Sequence, residues 1–395
     1  MSIKHSRREF IKTSLVFAGI LALRGGRKSR IIELASKRVL EMIKGVSEKV
    51  NIVWLQGQAC SGDTISLLNA VDPSLIEVLE GEVRGLPKVD LKVHPTVMEE
   101  WGVARLGWSG SREWDANTIL ESVAAGEMDP FILVVEGSVE DNSRAGAGYF
   151  CSIGETEEGA LLFEEWVKKL SKRAVAVVAV GTCAAFGGIP SGKPNPTGAR
   201  GVADVLGWEW KSKSGIPVVN IPGCPAAGDW MIKALAHLLL TVKGDLPPPK
   251  LDEYNRPVFL YGQTVHENCL RGVYYLEGKF SEKYGEEYCM YSKGCKGPIS
   301  YCPINLSGFV DGVGGCTSCG SPCIGCAMPG FPDSPYSPFL RQLVVPALPI
   351  KDAAALAAAI GLALGGLYAY SIRRRKREAE ALAEEKPVVK EVKSE

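Results

Sequence analysis

Short apolar runs alternate with longer segments of helical period along the first two thirds of the chain. Asn51–Leu55 (N-I-V-W-L), Val89–Val93, Phe131–Val135 (F-I-L-V-V), Ala174–Val180 (A-V-A-V-V-A-V) and Pro217–Ile221 (P-V-V-N-I) read as strands. Residues 31–48 read as an amphipathic helix or linker, Thr64–Asn69 opens a helix with Asp63 placed as its N-cap, and Trp230–Leu240 reads as another helix. Glu157–Ser171 carries Leu161, Leu162, Trp166 and Leu170 at helical spacing, so a helix is expected there too. Strands that are apolar throughout, alternating with helices, predict a parallel sheet covered on both faces. The fold class is α/β, a doubly wound parallel-sheet domain over about 49–245. Ligands of such a sheet gather beyond the carboxyl ends of its strands. Three of those ends carry a cysteine: Cys60, Cys183 and Cys224, with Asp63 one helical turn past Cys60. Whether they meet depends on strand order.

The pattern changes after L-P-P-P-K at 246–250, which reads as a stiff linker. Residues 251–345 form a second, loop-rich unit with little apolar periodicity. From His266 to Cys326 it holds eight of the twelve cysteines: Cys269, Cys289, Cys295, Cys302, Cys316, Cys319, Cys323 and Cys326. Cysteine at this density predicts metal, clusters or disulfides rather than a purely hydrophobic core.

Both ends of the chain carry membrane signals. Residues 1–30 contain S-R-R-E-F-I-K at 6–12 followed by the apolar run Thr13–Leu23, the pattern of a twin-arginine export signal. Ala353–Ile372 is uncharged and long enough to cross a bilayer, and R-R-R-K-R at 373–377 places the charged tail 373–395 in the cytoplasm. A single-pass protein of the cell membrane is expected, with its body on the outer face.

Composition narrows the chemistry. The formal net charge is zero, which gives nucleic acid no electrostatic footing. Only four histidines argue against an all-histidine metal site, and His266 stands out for its H-x-x-C context with Cys269. Counting donors gives three groups. Cys60, Cys183 and Cys224 with Asp63 form one. His266, Cys269, Cys289 and Cys295 form another. Cys302, Cys323 and Cys326 form the third, with Cys316 and Cys319 available. Thiolates bind iron–sulfur clusters or zinc, and imidazole can replace one thiolate. Iron–sulfur clusters, structural zinc and disulfides all remain open on spacing alone.

The chain resembles the small, electron-transferring subunit of a membrane-bound nickel–iron hydrogenase. The resemblance rests on W-L-Q-G-Q-A-C at 54–60, E-G at 136–137, G-T-C-A at 181–184, K-P-N-P-T-G at 193–198 and P-G-C-P at 222–225. It continues through N-R-P at 255–257, Y-G-Q-T-V-H-E-N-C at 261–269, Y-C-M-Y-S-K-G-C-K-G-P at 288–298 and P-C-I-G-C at 322–326. It implies a flavodoxin-like domain, three iron–sulfur clusters, a partner large subunit with the nickel–iron centre, and a membrane acceptor such as a cytochrome b or another reductase. Cys60, Cys183 and Cys224 then match ligands of a proximal four-iron cluster. The family's usual fourth cysteine is replaced by Asp63, whose carboxylate is the expected ligand.

His266, Cys269, Cys289 and Cys295 match a distal four-iron cluster. Cys302, Cys323 and Cys326 match the medial cluster, three-iron in many relatives; here Cys316 stands where those relatives have proline and is the expected fourth ligand, with Cys319 as competitor. Cys151 matches a non-ligating cysteine. Gly62 and Gly188 stand where oxygen-tolerant members place extra proximal cysteines, and the C-terminal span lacks the histidine some relatives turn toward a haem. Glu136 is placed either to face the proximal site or on a loop surface. The rival readings are a cluster subunit of a quinone reductase and an exported zinc- or disulfide-stabilised binding protein.

Overall fold

A computed structural model describes residues 49–98, 115–156, 159–333, 358–371 and 373–374. The export signal expected over 1–30 and the segment 31–48 lie outside the described residues. Lys49–Gln56 (β1), Lys88–Val93 (β2), Phe131–Glu136 (β3), Ala176–Val180 (β6) and Val219–Ile221 (β7) form one sheet, in the order β2-β1-β3-β6-β7. Every pairing in it is parallel. Ser152–Thr156 (β4) and Gly159–Leu162 (β5) pair with each other as a separate antiparallel hairpin. Leaving the hairpin aside, the order is that of a flavodoxin-like sheet, with its switch point between β1 and β3.

The unbroken apolar runs are buried on both faces, as their composition requires. Ile52, Trp54, Ile132, Val134, Val178 and Val180 face one core, which is closed by helices Gly62–Leu67 (α1), Leu75–Leu79 (α2) and Gly228–Lys243 (α7). Val53, Leu55, Leu133, Val135 and Ala179 face the other, closed by Ala116–Ala125 (α3), Phe163–Ser171 (α4) and Val202–Leu206 (α6). Alternate residues of each strand thus serve alternate cores, the period-2 rule of the pleat. Each fully buried Leu or Val, such as Leu238, Leu239 and Val242 of α7, contributes about 1.5–3 kcal/mol. The short helix Gly181–Phe186 (α5) starts directly at the end of β6.

Three expectations are corrected. The helix expected from Glu157 begins only at Phe163; Leu161 and Leu162, taken for helical positions, lie in β5. The Phe163 amide donates to the Cys151 carbonyl at 3.2 Å, so the hairpin and not a longer helix satisfies that backbone. A pair of apolar residues cannot by itself separate strand from helix. Asp63 is not an N-cap: the cap position of α1 is Ser61, in left-handed conformation, and Asp63 sits inside the first turn. The cysteine-rich unit is also less independent of apolar packing than its sequence suggests. Val265, Met290, Cys295, Ile304, Cys323 and Ala327 join the same core as α7.

Residues 358–371 are helical, and their apolar side chains are exposed. Among the described residues no helix is long and apolar enough to cross a membrane; the rest of the span expected over 353–372 lies outside them.

Candidate iron–sulfur sites

Sheet register answers the question left open by the sequence. Gln56 pairs with Glu136, Glu136 with Val180, and Val180 with Ile221. Four strand ends are therefore level, and the chain leaves them toward Cys60, Cys183 and Cys224 within three or four residues. Their side chains converge: the Cys183 thiol feels Cys224, Asp63 and Cys60, and the Cys224 thiol feels Asp63 and Cys60. Burial pushes Cys183 up to about 12, and these neighbouring charges push it the same way. Cys60 and Cys224 are exposed, so the site opens outward.

Asp63 is only 7% exposed. Its carboxylate accepts the Ala226 amide at 2.8 Å, while burial and the nearby Glu136 raise its pKa to about 7. It lies against Gly181, whose φ is +77°; a Cβ there would stand 2.0 Å from an Asp63 oxygen. Gly62 and Gly188 also border the site: a Cβ would lie 2.9 Å from the Cys60 sulfur in one case and 2.8 Å from the Cys183 sulfur in the other. These are the two positions singled out for extra cysteines, and both look onto the proximal thiols.

Glu136 is completely buried, which excludes a loop-surface carboxylate. It accepts from Trp54 Nε1 at 3.1 Å, from the Thr64 amide at 3.2 Å and from Thr64 Oγ1 at 2.5 Å. It thus supplies the cap that α1 lacks from its own N-cap residue, and ties β3 to the loop after Cys60. Thr182 was not singled out by sequence pattern, although it lies inside G-T-C. Its hydroxyl accepts the Gly223 amide at 3.0 Å and donates to the Cys326 carbonyl, joining two proximal loops to the third group.

The four donors of the second group line a single pocket: His266, Cys269, Cys289 and Cys295, with Val265, Arg271, Met290, Gly297 and Thr317. Tyr275 packs edge-on against His266 with centroids 4.6 Å apart, and Tyr291 and Phe280 pack on Tyr275. Burial pushes the imidazole pKa down and the Cys289 thiol up to about 11. The Cys295 sulfur accepts amides from Gly297 at 3.4 Å and Cys323 at 3.3 Å.

In the third group, Cys302 feels Cys323 and Cys316, and Cys326 feels Cys302, Cys316 and Cys224. Cys316 is exposed and lies between the second and third groups, since Cys295 feels it as well. Cys319 is exposed and is felt by Cys316. Burial raises the Cys302, Cys323 and Cys326 thiols far above their ordinary range.

The donor set fits iron–sulfur clusters. All twelve cysteines are free thiols. Buried thiols that hold their protons so tightly need a cation of comparable strength to ionise, which iron supplies. Among the described residues no three His, Cys, Asp or Glu side chains close on one point as a single metal ion demands; the thiols of a cluster each bind a different iron and stand further apart. Cys151 lies away from these groups, packed on the core beside Leu161 and Ile153.

A parallel-sheet domain with thiols at its strand ends, extended by two further donor groups, defines a cluster-bearing electron-transfer protein. Comparison with known proteins gives the family. The model for the C-terminal part of NiFe/NiFeSe hydrogenase small subunits matches 261–339, and that for the NADH ubiquinone oxidoreductase 20 Kd subunit matches 60–238. The periplasmic [NiFeSe] hydrogenase small subunit of Desulfomicrobium baculatum is 34% identical over 343 residues, 85% of this chain and 98% of its own. The hydrogenase-2 small chain of Escherichia coli is 31% identical over 82% of this chain and 77% of its own. The solved actinobacterial-type NiFe-hydrogenase of Ralstonia eutropha superposes with a TM-score of 0.70 at 34% identity, over 88% of this chain and 94% of that one.

The chain belongs to the small subunits of nickel–iron hydrogenases. It is the electron-transfer subunit of an oxidoreductase, pairs with a nickel–iron large subunit, and carries three iron–sulfur clusters. The match to the quinone-reductase family covers the sheet domain that the two families share. The segment from His266 to Cys326 falls under the hydrogenase model, which decides for the hydrogenase reading against the quinone-reductase rival.

Proposed function

We propose that this subunit takes electrons from hydrogen oxidised in the large subunit and delivers them to a membrane acceptor, a cytochrome b or another reductase. The observation that carries the reading is the continuous line of contacts between the three donor groups. Thr182, next to Cys183, donates its hydroxyl to the Cys326 carbonyl, and the Cys323 amide donates to the Cys295 sulfur. Each cluster, when bound, accepts and releases single electrons. In our reading Cys60, Asp63, Cys183 and Cys224 hold the proximal four-iron cluster, with the exposed face of Cys60 and Cys224 toward the large subunit. Cys302, Cys316, Cys323 and Cys326 hold a four-iron medial cluster, and His266, Cys269, Cys289 and Cys295 hold the distal one. Cys319 is spare.

The domain division at 245–251, the twin-arginine export of 1–30, the iron-ligand role of Asp63 and the anchor over 353–372 belong to the same reading. Support for the anchor comes from the exposed apolar helix 358–371 and the basic run after it. Iron and acid-labile sulfide analysis of the purified complex tests the ligand sets. The wild type should hold about eleven or twelve irons per chain. Cys316→Ser should lose iron and give a three-iron EPR signal, while Cys319→Ser should change neither. Iron loss on Cys319→Ser with Cys316→Ser intact overturns the medial assignment. Truncation before Ala353 should release the complex from membranes; retention overturns the anchor.

A further inference from the structure

The molecule buries one arginine beside the third donor group. Arg256 is 2% exposed, deep enough that its charge needs partners. Asp252 supplies one, accepting from Nε at 2.7 Å, yet that carboxylate is on the wetter side, with its side chain 20% exposed. The guanidinium reaches inward. Nη1 donates to the Ala327 carbonyl at 3.2 Å and contacts the Met328 sulfur at 3.1 Å. Ala327 directly follows Cys326. The same Met328 sulfur accepts the Tyr301 amide at 3.3 Å, and Tyr301 directly precedes Cys302. The cation is therefore fixed against both chain segments that present the medial thiols. Three rings surround it, Tyr254, Tyr261 and Tyr301, at 5.1, 5.7 and 5.6 Å from the guanidinium carbon. Such a cage orients the charge and keeps water from screening it.

We propose that Arg256 is a positioning and tuning residue that raises the reduction potential of the cluster held by Cys302, Cys323 and Cys326. The inference rests on the ligand reading above. A cluster becomes more negative on taking an electron, and a fixed, poorly screened cation nearby stabilises the reduced form. Asp252 opposes it, from a more exposed place. The charge pair thus acts as a dipole with its positive end toward the medial thiols. Arg256 touches no substrate and carries no electron itself.

The test is a redox titration of the purified heterodimer followed by EPR, with the proximal and distal signals as internal controls. Arg256→Gln should lower the medial potential by at least tenfold in its one-electron reduction constant, about 59 mV. Arg256→Lys, which keeps the charge, should restore most of it. Asp252→Asn keeps the acceptor for the Tyr254 and Arg256 amides, which bond Oδ1, and removes the opposing charge together with the Oδ2 bond to Nε; the guanidinium is still held by the Ala327 carbonyl and its three rings, so the potential should rise. A purely structural role would move the Gln and Asn variants the same way. That result, or an unchanged medial potential with all clusters present, overturns the proposal. If Arg256→Gln fails to assemble, Asp252→Asn decides alone: an upward shift supports the proposal and no shift overturns it. A wild type without a medial signal would sink the ligand reading itself, which separates the two failures.

Discussion

Replacing Thr182 by Val should loosen the junction between the proximal and medial loops without changing its shape. The Thr182 hydroxyl is the partner of the Gly223 amide, at 3.0 Å, and of the Cys326 carbonyl. Thr182 is buried, so water cannot replace the lost hydroxyl. An orphaned buried donor costs about 1–3 kcal/mol, and the carbonyl, with its second lone pair, somewhat less. The sum is about 2–4 kcal/mol, a shift of about 30-fold to 700-fold in the local opening equilibrium. Global unfolding of a cofactor-bearing heterodimer is not two-state, so hydrogen exchange by mass spectrometry is the better assay. The peptide over 219–228 contains the Gly223 amide and should exchange faster by that factor, while strands β1 and β3 hold their protection. Thr182→Ser keeps the hydroxyl and drops one buried methyl, about 0.8 kcal/mol plus a small cavity, and should fall between wild type and Val. Wild-type exchange over 219–228 in Thr182→Val, or greater loss in Ser than in Val, refutes the reasoning.

Glu136→Gln leaves one amide group facing the donors of Trp54 and Thr64, so one buried donor loses its acceptor; a destabilisation of about 1–3 kcal/mol should appear as a lower melting temperature of the complex, and an unchanged value refutes the capping role. His94 is buried, packs against Trp54 with tilted rings 4.8 Å apart and accepts the Thr96 amide on Nδ1 at 3.3 Å. Burial lowers its pKa to about 4 from 6.5, so between these values the unfolded chain binds the extra proton. The stability it confers is complete above pH 6.5 and is lost as pH falls toward 4. His94→Gln should show a shallower decline of melting temperature over that window, and a parallel decline contradicts it. Gly188→Ala puts a Cβ at φ +55° within 2.8 Å of the Cys183 backbone and sulfur; it should destabilise by about 1 kcal/mol or more and lower proximal iron content, measured per chain.

The sheet was legible because burial on both faces forces an apolar run, and the five strands differ from their expected bounds only at the edges. The donor groups were legible because cysteine has few other uses at such density, and the level strand ends bring together what the sequence scatters. Asp63 shows the limit. Its identity as a polar residue before an apolar helix fitted a cap, yet the backbone enters α1 through Ser61 and hands the capping to Glu136, seventy-odd residues away. Such a long-range substitution leaves no local trace. Arg256, in a loop, and Thr182, in the first turn of α5, were equally hidden, since a single polar residue looks like any other until its tertiary partners are known. The hairpin 152–162 was missed for a different reason, because Leu161 and Leu162 satisfy either period.

The backbone of Lys296 donates to the Cys323 carbonyl at 2.7 Å while the Cys323 amide donates to the Cys295 sulfur. These two bonds run in opposite directions between the same pair of segments. The gap between the second and third donor groups is therefore set largely by backbone amides, one bonded to a carbonyl and one to a thiol. Two bonds between neighbouring segments resist a relative shift of the two groups. Side chains around them are free to vary in charge and polarity, so the energy of each electron step can be retuned while its reach stays constant.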